Sequence, residues 1–323
     1  MARLDPTVFG EAAVAEETRV FLESFVAATK DAPSAINTPV QALRAARAAG
    51  NAVFPVVHSE QAVASTIEGP AGPIITRTFR PANPRGAMLH FHGGGFVMGG
   101  ADQQDKMLER LSTATGLIVV STGYRFAPEH PFPAAPDDCE AAALWFVEQA
   151  RGGAFGGGPL AIGGESAGAY LAATTLLRLR DRHSISPFAA ALLNYGAYDL
   201  SLSPSARNWG DEYMILSTPI LRKYLDMFVG AQLDRTAPEV SPLYARLDRM
   251  PPAFFMVGTR DPLLDDSLFM AQRWTAAGNG AQLEVFPGGL HGFNAFPIDI
   301  ARQAATCQNR FLNQVLFAGE ECQ

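Results

Sequence analysis

From about residue 60 onward, short apolar runs alternate with stretches whose apolar side chains recur at helical spacing. The short runs fall at 74–79, 86–91, 117–121, 160–163, 189–194, 253–258 and 282–286. The helical stretches between and after them fall at 102–114, 137–150, 167–181, 265–277 and 298–317. Strands separated by helices predict βαβ units and an α/β fold with a mostly parallel central sheet flanked by helices. Two runs, Gly86-Ala87-Met88-Leu89-His90-Phe91 and Ala253-Phe254-Phe255-Met256-Val257-Gly258, are apolar almost throughout. That pattern suits central strands covered on both faces.

Two segments stand outside the alternation. Residues 5–29 carry Val8, Val14, Phe21 and Phe25 near helical spacing; Pro33 and Pro39 interrupt them, and an Ala-rich second helix follows over 41–49. Between 195 and 252, about 55 residues separate two strands that a crossover of about a dozen would join. That interval includes a helical pattern at 218–229. The chain is therefore expected to divide into N-terminal cap helices over 1–50 and an α/β domain over 51–323 with a cap insert at about 200–230.

Composition narrows the class. A chain of 323 residues, 48% hydrophobic and 18% charged, can bury a full core without metals or disulfides. The net charge of -7 and the scattered Lys and Arg speak against nucleic acid or an anionic membrane as partner. Cys139, Cys307 and Cys322 are odd in number and widely spaced, which suits free thiols in a reducing compartment rather than a disulfide framework or zinc site. No apolar h-region follows the N-terminus and no apolar stretch reaches membrane-spanning length, so a cytoplasmic protein is expected. No metal is expected, since no His, Cys or carboxylate side chains cluster at ligand spacing.

The chemistry lies in two glycine-bearing motifs. Gly164-Glu165-Ser166-Ala167-Gly168 follows the run at 160–163 and opens a helix near Ala167. This is the strand–turn–helix setting of a nucleophile elbow, in which the serine is exposed over a helix N-terminus that favours developing negative charge. His92-Gly93-Gly94-Gly95 follows the run at 86–91 directly. Bare backbone N–H groups of Gly93 and Gly94, with that of Ala167, form a candidate oxyanion hole.

Elimination supplies the other two groups. Where a serine stands on a turn of this kind, the base lies C-terminal to it in the chain. Only His183 and His291 qualify, and His183 stands in a charged helix end, Arg180-Asp181-Arg182-His183. His291, in a loop after the last strand, is the expected base. The acid should follow a strand between Ser166 and His291. Asp261 does so in Gly258-Thr259-Arg260-Asp261; Asp199 comes earlier, and Asp265 and Asp266 fall where a helix begins and are expected to cap it.

With these motifs in place, the sequence resembles the hormone-sensitive lipase family, the bacterial family IV esterases. The resemblance rests on His92-Gly93-Gly94-Gly95-Phe96, on Tyr124 to Ala135 (YRFAPEHPFPAA), on Gly164 to Gly168, on Ser241-Pro242-Leu243, on Asp261-Pro262-Leu263-Leu264-Asp265 and on His291-Gly292-Phe293. It covers roughly residues 60–317, and the N-terminal helices fit the family's cap. It implies the α/β-hydrolase fold and hydrolysis of short- to medium-chain carboxylic esters through an acyl-enzyme, without a cofactor. His92 would support its loop, and the Pro-rich segment would be scaffold with Arg125 and Glu129 as partners. Glu165 departs from the commoner Asp or Thr before the serine and leaves the subfamily open. Phe96, Trp209, Tyr213, Met214 and Leu216 are candidates to line the substrate pocket. An amidase, lactonase or carbamate hydrolase on the same residues is the alternative reading, and a non-catalytic ligand-binding protein of this fold a remote one.

Overall fold

The computed structural model describes residues 5–29, 35–51 and 56–318. Eight strands form one sheet: β1 (Val63–Gly69), β2 (Gly72–Phe79), β3 (Gly86–Phe91), β4 (Leu117–Thr122), β5 (Leu160–Glu165), β6 (Ala190–Asn194), β7 (Ala253–Arg260) and β8 (Ala281–Leu290). Their spatial order is β1-β2-β4-β3-β5-β6-β7-β8. β2 pairs antiparallel with β1 and with β4, and the other pairs are parallel. The reversal between β4 and β3 sends the chain outward on both sides of β3. The C-terminal ends of β3 and β5 therefore lie next to each other in the middle of the sheet, where a ligand can sit above them.

Side chains alternate between two cores because successive strand residues point to opposite faces. Ala87, Leu89 and Phe91 of β3, with Ile118 and Val120 of β4, face one side. That side is covered by α4 (Ala134–Arg151), α5 (Ala167–His183) and α8 (Leu264–Ala276), whose Cys139, Leu171 and Trp274 belong to the same cluster. Met88, Leu117 and Val119 face the other, against Leu108 and Leu111 of α3 (Asp105–Thr115) and Phe311 and Leu312 of α9 (Asp299–Phe317). Double coverage explains why β3 and β4 are buried along their whole length.

β1 is absent from the sequence reading for a physical reason. It is an edge strand of sequence Val63-Ala64-Ser65-Thr66-Ile67-Glu68-Gly69 in which only Ile67 is buried, so it carries no apolar alternation. Its partner β2 folds back onto it at the pair Gly69–Gly72.

The segments outside the alternation are helical: α1 (Glu16–Thr29) and α2 (Val40–Ala48) before the sheet, and α6 (Pro204–Asn208) and α7 (Thr218–Val229) between β6 and β7. α1 packs against the other elements through aromatic contacts. Phe21 meets Phe296 at 4.9 Å and Phe25 stacks on Tyr213 at 6.2 Å. Lys223 of α7 donates to the carbonyls of Ala35, Ile36 and Thr38, which fastens the approach to α2 onto the insert. Among the described residues, no helix is long and apolar enough to cross a membrane.

Candidate active site

Ser166 stands between β5 and α5 with φ 56° and ψ -118°, a conformation that L-residues rarely adopt. The neighbours over-determine it. Its N–H donates to Asn194 O of β6 at 2.9 Å, and its own carbonyl accepts the first helical bonds, from Ala169 N and Tyr170 N. Glycine is obligatory on either side. A Cβ on Gly164 or on Gly168 would overlap the carbonyl oxygen of Phe91 at the end of β3. The turn is thus wedged against the neighbouring strand, with room for hydrogen only.

Sheet register delivers the other two side chains. Arg260 of β7 pairs with Leu290 of β8, and Gly258 packs so closely on Gly289 that a Cβ on Gly258 would collide with the Gly289 backbone. The next residue of each strand, Asp261 and His291, therefore leaves the sheet side by side. His291 Nδ1 lies 2.9 Å from Asp261 Oδ2, and Nε2 lies 2.9 Å from Ser166 Oγ. In the neutral tautomer that fits both contacts, Nδ1–H donates to the carboxylate and Nε2 accepts from the hydroxyl. Asp261 is 1% exposed, and its second oxygen accepts from Leu263 N at 2.9 Å. The carboxylate is therefore held on both oxygens. Tyr195 packs edge-on against the imidazole at 5.0 Å and donates from its hydroxyl to Asn294 Oδ1 at 2.6 Å, which holds the loop after His291.

The glycine run after β3 lies directly against this turn. A Cβ on Gly93 would be 3.0 Å from Glu165 O and 3.5 Å from Ser166 Cβ, so the Gly93 backbone borders the serine. Gly94 has φ 124°, and a side chain there would overlap Met98 O. Ala167 begins α5, where first-turn N–H groups have no intrahelical acceptor. His92 is fully buried, and burial pushes its imidazole down to about 3, so it is neutral. Nδ1–H donates to Gly93 O at 2.6 Å, while the ring stacks on Tyr124, whose hydroxyl donates to His92 O. His92 is thus a brace for the glycine backbone.

Glu165 has a similar structural task. Its carboxylate meets His90 Nε2 at 2.7 Å and Asn194 Nδ2 at 3.3 Å. His90 continues to Ser121, and Gln308 donates to Asn194 Oδ1. These buried contacts tie β3, β4, β5, β6 and α9 together beneath the serine. His90, Asn194 and Tyr195 escaped the sequence reading. His90 did leave a signal, an isolated polar residue in the apolar strand 86–91.

The pocket candidates divide. Phe96 is 2% exposed; it stacks on Phe228 of α7 at 3.8 Å and meets Tyr170 edge-on at 5.1 Å. Its ring is a pillar between the glycine loop, α5 and α7, and does not line an open pocket. Met214 and Leu216 form a small bridge to each other and are buried. Tyr213, against Phe25, and Trp209, which donates to Glu212 O at 2.9 Å, are half-buried.

Three local expectations need correcting. Arg125 and Glu129 are not partners: Arg125 grips Asp138 of α4 through its backbone N–H and its guanidinium, and Glu129 pairs with Arg44 of α2. Both found closer geometry with residues brought in by the helices. Asp265 and Asp266 do not cap α8. Asp266 is fully buried and accepts from Tyr198 N at 2.7 Å, Asp199 N at 2.8 Å and Ser203 Oγ at 2.5 Å, and Asp265 accepts from Ser205 N. They bind α8 to the chain after β6, and burial raises the Asp266 carboxyl to about 7. His183 is not merely solvated, since its ring meets Glu140 Oε1 at 2.7 Å.

Among the described residues, no cluster of His, Cys, Asp or Glu could hold a metal ion. Cys139 and Cys307 are free; Cys322 lies outside the described residues.

A serine on a tight strand–turn–helix, hydrogen-bonded through a histidine to a buried aspartate and bordered by a glycine run at the C-terminal ends of the parallel strands, defines a class, and comparison with known proteins agrees. The chain belongs to the alpha/beta hydrolase fold family, whose model matches residues 88–295, and within it to the hormone-sensitive-lipase-like family IV carboxylesterases. It is similar to the esterase LipI of Mycobacterium tuberculosis, 36% identical over 248 residues that cover 73% of this chain and 76% of that protein. An acetyl esterase of Salmonella schwarzengrund is 32% identical over 231 residues, covering 69% and 70%. Among solved structures, the hyperthermophilic esterase of the archaeon Pyrobaculum calidifontis superposes with a TM-score of 0.83 at 29% identity, covering 93% of this chain and 98% of that one. A hormone-sensitive lipase from a metagenome library superposes with 0.81 at 27% identity, again covering 93% and 98%.

Proposed function

We propose that this protein is a serine carboxylesterase acting on short- to medium-chain acyl esters, with Ser166 as nucleophile, His291 as general base and Asp261 as the residue that orients it. The observation that carries the reading is the unbroken relay of two 2.9 Å contacts from Ser166 Oγ through His291 to Asp261, beside the Gly93 backbone.

In this mechanism Ser166 Oγ attacks the ester carbonyl carbon while its proton passes to His291 Nε2. The carbonyl oxygen becomes an oxyanion facing the N–H groups of Gly93, Gly94 and Ala167, each worth about 10²–10³ in rate. The imidazolium, stabilised by Asp261, then protonates the departing alkoxide, and the acyl group stays on Oγ. Water, losing a proton to His291, attacks the acyl carbon and releases the acid and the free serine. The N-terminal helices (1–50) and the insert (about 200–230) act as a cap that shapes the acyl and alcohol pockets. Of the cap candidates, Tyr213 and Trp209 keep part of their surface exposed, which supports them as substrate-facing residues, whereas Met214 and Leu216 are buried. Free thiols at Cys139 and Cys307 support a cytoplasmic location. A small-molecule ester is the one partner the reading requires, and a homodimer is tested by sedimentation.

A series of p-nitrophenyl esters from two to sixteen acyl carbons, run beside matched amides, tests the reading. Turnover should peak among the short chains, with amides far slower. Faster cleavage of the amides would establish the amidase alternative instead.

A further inference from the structure

The glycine loop that carries the oxyanion donors has three consecutive residues at positive φ: Gly94 at 124°, Gly95 at 61° and Phe96 at 66°. Phe96 is not glycine, so its local preference opposes this path, and something outside the loop must hold it. Arg44 of α2 does. Its Nε donates to Val97 O at 2.7 Å and its Nη2 to Ala127 O at 2.8 Å. The same two residues hold the loop through their own N–H groups, since Val97 N donates to Gly94 O at 3.2 Å and Ala127 N to Phe96 O at 3.0 Å. The guanidinium is fixed in turn by both oxygens of Glu129 at 2.9 Å and lies over the Phe126 ring at 5.3 Å. One turn along the helix, Arg47 reaches Gln103 and Asp102, just beyond the loop's far end.

We infer that Arg44 is a positioning residue for the oxyanion hole, so that α2 forms part of the reaction framework and is not a removable cover over it. The argument rests on the serine-esterase reading above. It also explains why arginine stands here: two carbonyls and a carboxylate in different directions need a planar fork with several donors, which the single ammonium of lysine does not offer.

The test uses the full-length protein and expresses kcat per serine titrated with an activated phosphonate, so an unfolded fraction does not count. Arg44→Met should lower kcat about tenfold, a fraction of what losing a donor outright costs. KM should stay within about twofold. Affinity for a trifluoromethyl ketone, whose serine adduct bears an oxyanion, should weaken by the same factor as kcat, which a general loosening would not produce. Lys106→Met, which removes an ion pair with Glu109 within α3 and touches neither the loop nor α2, should leave kcat within about twofold. If Arg44→Met does not fold, Arg44→Lys carries the test, with a loss of about threefold in kcat and the matching loss of ketone affinity. Unchanged kcat in the Arg44 variants, or a fall in kcat with ketone affinity intact, overturns the inference. A wild-type protein without esterase activity would instead overturn the reading it rests on.

Discussion

At the turn from β5 into α5, backbone fixes the geometry. Gly164 and Gly168 have no room for a methyl group against Phe91 O, Ser166 is forced to φ 56°, and Asn194 O takes the serine's N–H. In the insert that carries α6 and α7, side chains fix it. Phe228 is sandwiched among Phe96, Phe132 and Tyr170, Tyr213 leans on Phe25, and Lys223 gathers the carbonyls of 35–38. The difference decides what each region can tolerate. A backbone wedge admits one residue type, because any Cβ meets a carbonyl. A packed aromatic cluster admits several side chains of similar volume at modest cost. The proposed function puts the reaction chemistry in the first region and substrate preference in the second.

That contrast can be broken or sharpened by substitution. The largest effect among the supporting residues should come from Asp261→Asn, which keeps the shape but favours the wrong histidine tautomer and should lower kcat about 10⁴-fold. Asp265→Asn should cost less than about tenfold, because Asp265 serves Ser205 and not His291. Steady-state kinetics on a soluble short-chain ester measures both, and a reversed order would reject the acid assignment. Gly168→Ala should come next. Its methyl would push α5 from Phe91 and displace the Ala167 N–H, at a cost of about 10² in kcat. Activity near wild type would mean that the wedge is not needed.

A smaller effect is expected in the cap. Tyr213→Ala should shift the ratio of kcat/KM between acyl chains of two and eight carbons by about 3–30-fold, with kcat on the acetyl ester nearly constant. An unchanged profile would exclude Tyr213 from the pocket. The subtlest prediction concerns Asp266. Its carboxyl is raised to about 7 in the fold from an ordinary value of 3.8, so the neutral form is favoured. The sign follows: this group stabilises the fold in acid, and that contribution fades as pH rises from about 4 to about 7. Asp266→Asn is neutral throughout. Urea midpoints should therefore move in the mutant's favour between pH 5 and pH 8, and a difference independent of pH would contradict the burial argument.

The same contrast explains what the chain reveals before it is folded. Gly164, Gly168 and the run Gly93–Gly95 are legible because a backbone that must approach another backbone writes glycine into the sequence at fixed spacing. Asp261 and His291 are legible because each directly follows a strand, and register then brings the strand ends together. The segments of helical periodicity, 218–229 among them, are where the structure has helices. β1 was invisible because an edge strand with one buried residue has no pattern to read. Partners of charged side chains were illegible for another reason. Arg125 lies four residues from Glu129, a natural local pair, yet α4 brings Asp138 and α2 brings Arg44 into better positions. Pocket candidates suffer the same indeterminacy: Phe96 and Tyr213 read alike as exposed-or-buried aromatics, and only packing shows that Phe96 is buried and Tyr213 half-buried.

The central claim is that Ser166 is the group that becomes acylated. The most direct measurement is peptide mapping by mass spectrometry after inactivation with a p-nitrophenyl alkylphosphonate, run beside Ser166→Ala. One phosphonyl group should be found per chain, on the peptide containing Gly164 to Gly168 and assigned to Ser166, with p-nitrophenol released in equal amount. Ser166→Ala should take up no label, should remain folded and should have lost activity by about 10⁶. A label on another residue, or a Ser166→Ala protein that still turns over ester at close to the wild-type rate, would contradict the account.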